Sequence, residues 1–299
     1  MLCLALALPR LSRRPSAPPP RIPSPLQAGL LWLFTMVLVV ASGLALGGVA
    51  AFAAILSGLP PERAFAMLSD PKSSPLVTSS TWISISVLLS EAVLGLVVWR
   101  FLRRHRLFLR EVCPLRVPSL RDVSGALLCV FGLAPLSGML AELVRRNLPR
   151  DVTAETMVIA LARGVSASEL VGVVVATAAV PAVVEELLFR GVLTRAFLGR
   201  SNLLALLVPS AMFGLFHLEP TQAAGTFVLG IGFGIARLYT DSVLTSIACH
   251  LAYNAYVLID VHGGGQIGNT ALHFGQVGLG LAVSSLGFGL MVLHPGDAS

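Results

Sequence analysis

Three short stretches of this 299-residue chain carry side chains that could do chemistry together. VVEELLFRG holds Glu185, Glu186 and Arg190; FGLFHL holds His217; CHLAYNA holds His250 and Asn254. Glu186 and Arg190 are four apart, so on a helix they share a face and can pair. Glu185 sits about 100° further round the same helix and has no cation near it in sequence. It is therefore the better candidate to take a proton from water. Phe213 and His217 are four apart, and the ring can shelter the imidazole. His250 and Asn254 repeat that spacing, so both can point at one place. Two imidazoles, one free carboxylate and one amide form a set that can activate water and stabilise an oxyanion. Simpler readings compete: a lone membrane histidine is often an interhelical hydrogen-bond donor, and Glu186–Arg190 alone could be a structural clasp. Three clusters in matched register favour the chemical reading. Glu91, with no matched partner, is taken as packing or cavity-lining, and Glu142 and Asp260 sit near helix ends where they can snorkel.

The elements that must position these residues are membrane helices. The chain is 55% hydrophobic and 12% charged, with a mean hydropathy of +0.84, against roughly 25% charged residues in a soluble domain. Residues 22–61, 73–90, 123–141, 170–184, 201–218, 220–236 and 274–293 contain no charge. Most of these runs approach or exceed the roughly 18–20 apolar residues that cross a bilayer. A soluble enzyme, a secreted disulfide scaffold and a disordered regulator are excluded. The fold class expected is all-α: a polytopic transmembrane bundle of about eight spans around a polar intramembrane cavity. The spans fall near 28–56, 80–101, 123–143, 168–198, 201–219, 222–239, 243–260 and 274–294. An ionisable side chain near the bilayer centre costs around 2.5–3.5 kcal/mol on insertion scales, so each one needs a reason. Pro181 lies one turn before the two glutamates. It should bend the fourth helix, and freed carbonyls in lipid must face protein or a wet cavity. Gly47–Gly48 is a second place for a kink.

Residues 1–26, with seven prolines and four arginines, read as a disordered basic tail, and 27–299 as the bundle. Residues 151–163 look like a short amphipathic helix at the interface. Of 21 basic residues, 20 are Arg and one is Lys72. The arginines flank the apolar spans, so the basic balance points to cytoplasmic loops and not to nucleic acid. The positive-inside rule then puts both termini in the cytoplasm. The arginine bias suits a GC-rich coding genome, hence a bacterial inner membrane. Cys3, Cys113, Cys129 and Cys249 lack metal-like spacing and read as packing residues. With no internal repeat, an inverted-repeat transporter is disfavoured.

Glu185-Glu186-Leu-Leu-Phe-Arg190, Phe213-Gly-Leu-Phe-His217 and His250-Leu-Ala-Tyr-Asn254 together resemble the CPBP (Abi) intramembrane proteases. That family includes the type II CAAX prenyl endopeptidases and proteins linked to bacteriocin processing or immunity. Its pattern is EExxxR, FxxxH and HxxxN in that order on successive helices, and the resemblance covers about 168–260. It implies an intramembrane endopeptidase acting on a peptide or protein, with lipidated substrates among those to be expected. Glu185 would be the base on water and His217 would help polarise that water. Arg190 would hold Glu186, which orients the site, and His250 and Asn254 would serve the oxyanion. The family is commonly called a metalloprotease, and Glu185, His217 and His250 would be the ligands of a zinc enzyme. No HExxH is present, and water activated directly by Glu185 and His217 uses the same residues. The expectation adopted is the metal-free one. Two other functions stay open: a non-catalytic bacteriocin-immunity or scaffold protein, and a proton-coupled transporter.

Overall fold

The structure, a computed structural model, describes residues 22–69, 79–148, 153–265 and 274–293. Residues 1–21 of the basic tail, and Lys72, lie outside the described residues. Eleven helical segments follow along these residues: α1 Pro25–Leu56, α2 Pro61–Ser69, α3 Ser80–His105, α4 Leu109–Val112, α5 Leu120–Arg146, α6 Thr153–Ala162, α7 Ala167–Leu198, α8 Asn202–Phe216, α9 Pro220–Thr240, α10 Val243–His262 and α11 Phe274–Val292. The described residues form an all-α polytopic bundle without a named strand; Leu115 and Ser242 make one isolated bridge. Among the described residues, seven helices (α1, α3, α5, α7, α9, α10 and α11) are long and apolar enough to cross a membrane.

The expected eighth crossing is different. Residues 201–218 are charge-free, yet α8 has only 15 residues, a length of about 22 Å where roughly 30 Å is needed. His217 caps it, Leu218 takes a left-handed backbone with φ 61°, and Pro220 starts α9. Apolar counting merges the helix with this turn because nothing in the run is charged. The short helix also sets the depth of His217 relative to Glu185. Counted from the turn at 199–201, Glu185 lies about 20 Å up α7 and His217 about 22 Å up α8, so the two are level.

Local signals set the helix ends. Ser24 accepts from Gln27 N while Gln27 Oε1 accepts from Ser24 N, a reciprocal cap ahead of Pro25. Ser79, Ser119 and Ser166 cap α3, α5 and α7 in the same way or by the serine alone. α1 runs as one helix through Gly47–Gly48.

Close packing is made by glycine. A Cβ on Gly132 of α5 would come 2.5 Å from Ser284 N and 2.6 Å from Gly280 O of α11, so α5 and α11 touch backbone to backbone. α9 does the same on two sides. Gly225 and Gly232 face Ser137, Val130 and Leu133 of α5, while Gly230 and Gly234 face Ser210 and Leu206 of α8. Small residues let membrane helices approach closely where burying apolar surface gains little against lipid.

The expected bend near Pro181 takes the form of two wide π turns within α7. Val175–Ala179 precedes Pro181 and Leu187–Leu193 follows the glutamates, with the α turn Val180–Glu186 between them. Such turns shift the register and leave carbonyls without their usual partners. Thr194 Oγ1 donates to Phe189 O, five residues back, at 2.9 Å. The Cys113 thiol donates to Leu187 O at 3.6 Å. Gly191 has no side chain because the Cys113 sulfur fills that space.

The helix expected at 151–163 is present as α6. It does more than lie at a surface: it packs on α3 and α10, and Met157, Val158 and Leu161 help wall the central cavity.

Candidate active site

The cavity has a volume of about 940 Å³ and is walled mainly by α3, α5, α6, α7, α9 and α10. Glu185 from α7, His217 from the end of α8, and His250 and Asn254 from α10 all line it. Glu186 and Arg190 stand behind that wall. Both are almost completely buried, 0% and 1% exposed, which requires that they be paired.

Their pairing runs through one oxygen. Glu186 Oε1 accepts from Arg190 Nη1 at 3.1 Å and from His250 Nδ1 at 3.0 Å. Arg190 Nη2 donates to Gly230 O at 2.9 Å. The guanidinium carbon lies 4.5, 5.3 and 5.9 Å from the ring centroids of Phe213, Phe233 and Phe189. Three π faces around a desolvated cation stabilise it beyond its ion pair. Phe233 also stacks on His250, with centroids 4.9 Å apart and planes 15° apart, and Phe213 meets the same imidazole edge-on.

The tautomers follow from these contacts. His250 points Nδ1 at a carboxylate oxygen, so Nδ1 carries the hydrogen, and Nε2 is turned towards Glu185 Oε2, 4.0 Å away. His217 Nδ1 faces the Phe213 carbonyl at 2.9 Å. A carbonyl can only accept, so Nδ1 is the N–H, and the neutral imidazole keeps its lone pair on Nε2. Phe213 lies edge-on to both imidazoles and fixes their planes.

Sequence spacing supplied six of the site residues, but not their cross-helix contacts. Glu91 of α3 belongs with them. It is buried, lines the cavity, and lies beside the Glu185 carboxyl. The available signal was a carboxylate at membrane depth with no partner in register. Phe233 and Gly230 gave no such signal, since an aromatic or a glycine in an apolar helix reads as packing.

Fit to a metal can be tested on the same contacts. Among the described residues, no three His, Cys, Asp or Glu side chains converge as a ligand set. His250 gives Nδ1 to Glu186 and His217 gives Nδ1 to the Phe213 carbonyl, which leaves Nε2 of each imidazole as the nitrogen a metal would take. As placed among the described residues, these side chains are not gathered for zinc.

Residues 167–256 match the family model described as Type II CAAX prenyl endopeptidase Rce1-like. The matched region holds all three motifs and supports a CAAX-protease-like peptidase within an integral membrane protein. Comparison with curated proteins and with solved structures gives no match.

Proposed function

We propose that this chain is an intramembrane endopeptidase that hydrolyses a peptide bond with a water activated by Glu185 and His217. Glu185 takes one proton from the water. His217 Nε2 accepts a hydrogen bond from the other hydrogen and orients the nucleophile. The water oxygen attacks the carbonyl carbon, and the oxyanion that forms accepts a hydrogen bond from the Asn254 amide, with the His250 ring beside it in the same cavity. Glu186 orients that ring through Nδ1, and Arg190 fixes Glu186. The proton held by Glu185 then passes to the departing amine as the C–N bond breaks. Oriented donors and a positioned base of this kind are each worth orders of magnitude in rate. The observation that carries the reading is the convergence of Glu185, His217, His250 and Asn254, drawn from three helices, on one cavity.

The substrate is a membrane peptide, and the family match makes a lipidated one the first to try. The arginine-rich connections lie on the cytoplasmic side of a bacterial inner membrane. α8 and α9 form a hairpin that enters and leaves on that side, which keeps both termini cytoplasmic.

The test is the set of membrane peptides that accumulates in cells carrying Glu185→Ala. Uncleaved precursors absent from wild-type cells are expected. An unchanged peptide profile contradicts the proposal. Activity of the purified protein should survive a zinc chelator; loss that zinc restores would overturn the metal-free chemistry.

A further inference from the structure

A second groove, of about 560 Å³, runs between α1 and α3 and has no part in the site above. Its walls are apolar along most of their length: Leu30, Leu31 and Phe34 from α1 face Leu96, Val97 and Phe101 from α3. At one end this changes abruptly to Arg100, Arg104 and His105, with Gln27 opposite, and no acidic residue lines the groove. Arg100 and Arg104 are one turn apart on α3 and both are exposed. The neighbouring arginines are occupied: Arg103 lies over Trp99 at 5.3 Å and Arg110 over Phe108 at 5.5 Å.

We infer that this groove binds one anionic phospholipid, with its phosphate on Arg100 and Arg104 and an acyl chain laid along α1 and α3 towards Phe34. Charge complementarity selects the occupant. A basic pocket between membrane helices, at the arginine-rich end of the bundle, is where an acidic headgroup gains most. The apolar floor beneath it excludes a free phosphate as a sufficient ligand. Cations also suit the C-terminus of a helix by themselves, so the experiment must separate a site from diffuse charge.

The protein is purified, placed in nanodiscs of mixed phosphatidylglycerol and phosphatidylcholine, and then released for native mass spectrometry. Wild type should retain one phosphatidylglycerol in preference to phosphatidylcholine. Arg100→Ala/Arg104→Ala should lower that retention roughly 30-fold, the loss of two interfacial charges. Leu96→Trp, which fills the groove without touching a charge, should lower it as well. Arg103→Ala/Arg110→Ala, at the same end but outside the groove, should leave it unchanged. Equal retention of the two lipids, an undiminished signal in Arg100→Ala/Arg104→Ala, or an equal loss in Arg103→Ala/Arg110→Ala overturns the inference. So does displacement of the lipid by millimolar inorganic phosphate. Unfolding temperature in detergent confirms that each variant is folded, and Leu96→Trp carries the test if the arginine pair is not.

Discussion

α1 and α9 are both apolar helices long enough to span a membrane, yet they live in different environments. Of the most apolar stretch of each, 11% is buried within the protein for α1 and 56% for α9. α1 turns large side chains such as Leu33, Phe34, Leu44 and Phe52 outward. α9 has glycines where α5 and α8 press against it, and it supplies the carbonyl and the ring that hold Arg190 and His250. Apolarity locates the membrane. Glycine at contacts and polar groups facing inward locate the chemistry, and α7, α8 and α9 have both.

The widest separation between the two regions should be functional. Glu185→Ala is expected to lower peptide cleavage by about 10²–10⁴, the usual worth of a positioned base, with helicity by circular dichroism unchanged. Any outward residue of α1, such as Leu44→Ala, should leave the rate within twofold, and a comparable loss there would erase the distinction.

Buried charge comes next. Arg190→Ala leaves Glu186 with no cation in a completely buried position and should cost about 3–5 kcal/mol of stability, read by unfolding in detergent. Arg190→Lys should recover only part, because a lysine cannot reach Gly230 O and Glu186 together with a planar fork.

Packing gives a smaller and more local contrast. Gly132→Ala puts a Cβ against the α11 backbone and should destabilise by about 1–3 kcal/mol. Gly48→Ala on α1, where a Cβ meets nothing within 4 Å, should be neutral or slightly stabilising. Equal effects would show that glycine is not what admits α11.

The smallest effect concerns Cys113, in the connection before α5. Burial pushes its thiol from 9.0 up to about 12, against the opposing charge of Arg237. The folded thiol therefore stays protonated where the unfolded one ionises. Its contribution is complete below pH 9 and is lost as pH rises through the window up to 12. Cys113 should resist maleimide at pH 8 in the folded protein and react once detergent denaturation exposes it. Rapid labelling of the native protein would break this assignment.

Most of the membrane architecture was legible in the sequence because charge is expelled from the spans. The exception, α8, shows the limit: a helix that turns back inside an apolar environment at Leu218 leaves no charge to mark its end. Within the site, pairs on one helix were legible because helical geometry fixes them, as for Glu186 with Arg190 and His250 with Asn254. The bond from Glu186 to His250, the stack of Phe233 on that ring and the approach of Glu91 were not. Each joins different helices, at distances set by glycine contacts and by two π turns that no periodicity announces.

The most direct measurement is hydrolysis in ¹⁸O water by the purified protein in nanodiscs, using a prenylated peptide ending in a CAAX sequence. Wild type should place one ¹⁸O in the new C-terminal carboxyl group, and Glu185→Gln, equally folded, should give no labelled product. Cleavage by Glu185→Gln at the wild-type rate would contradict the central claim.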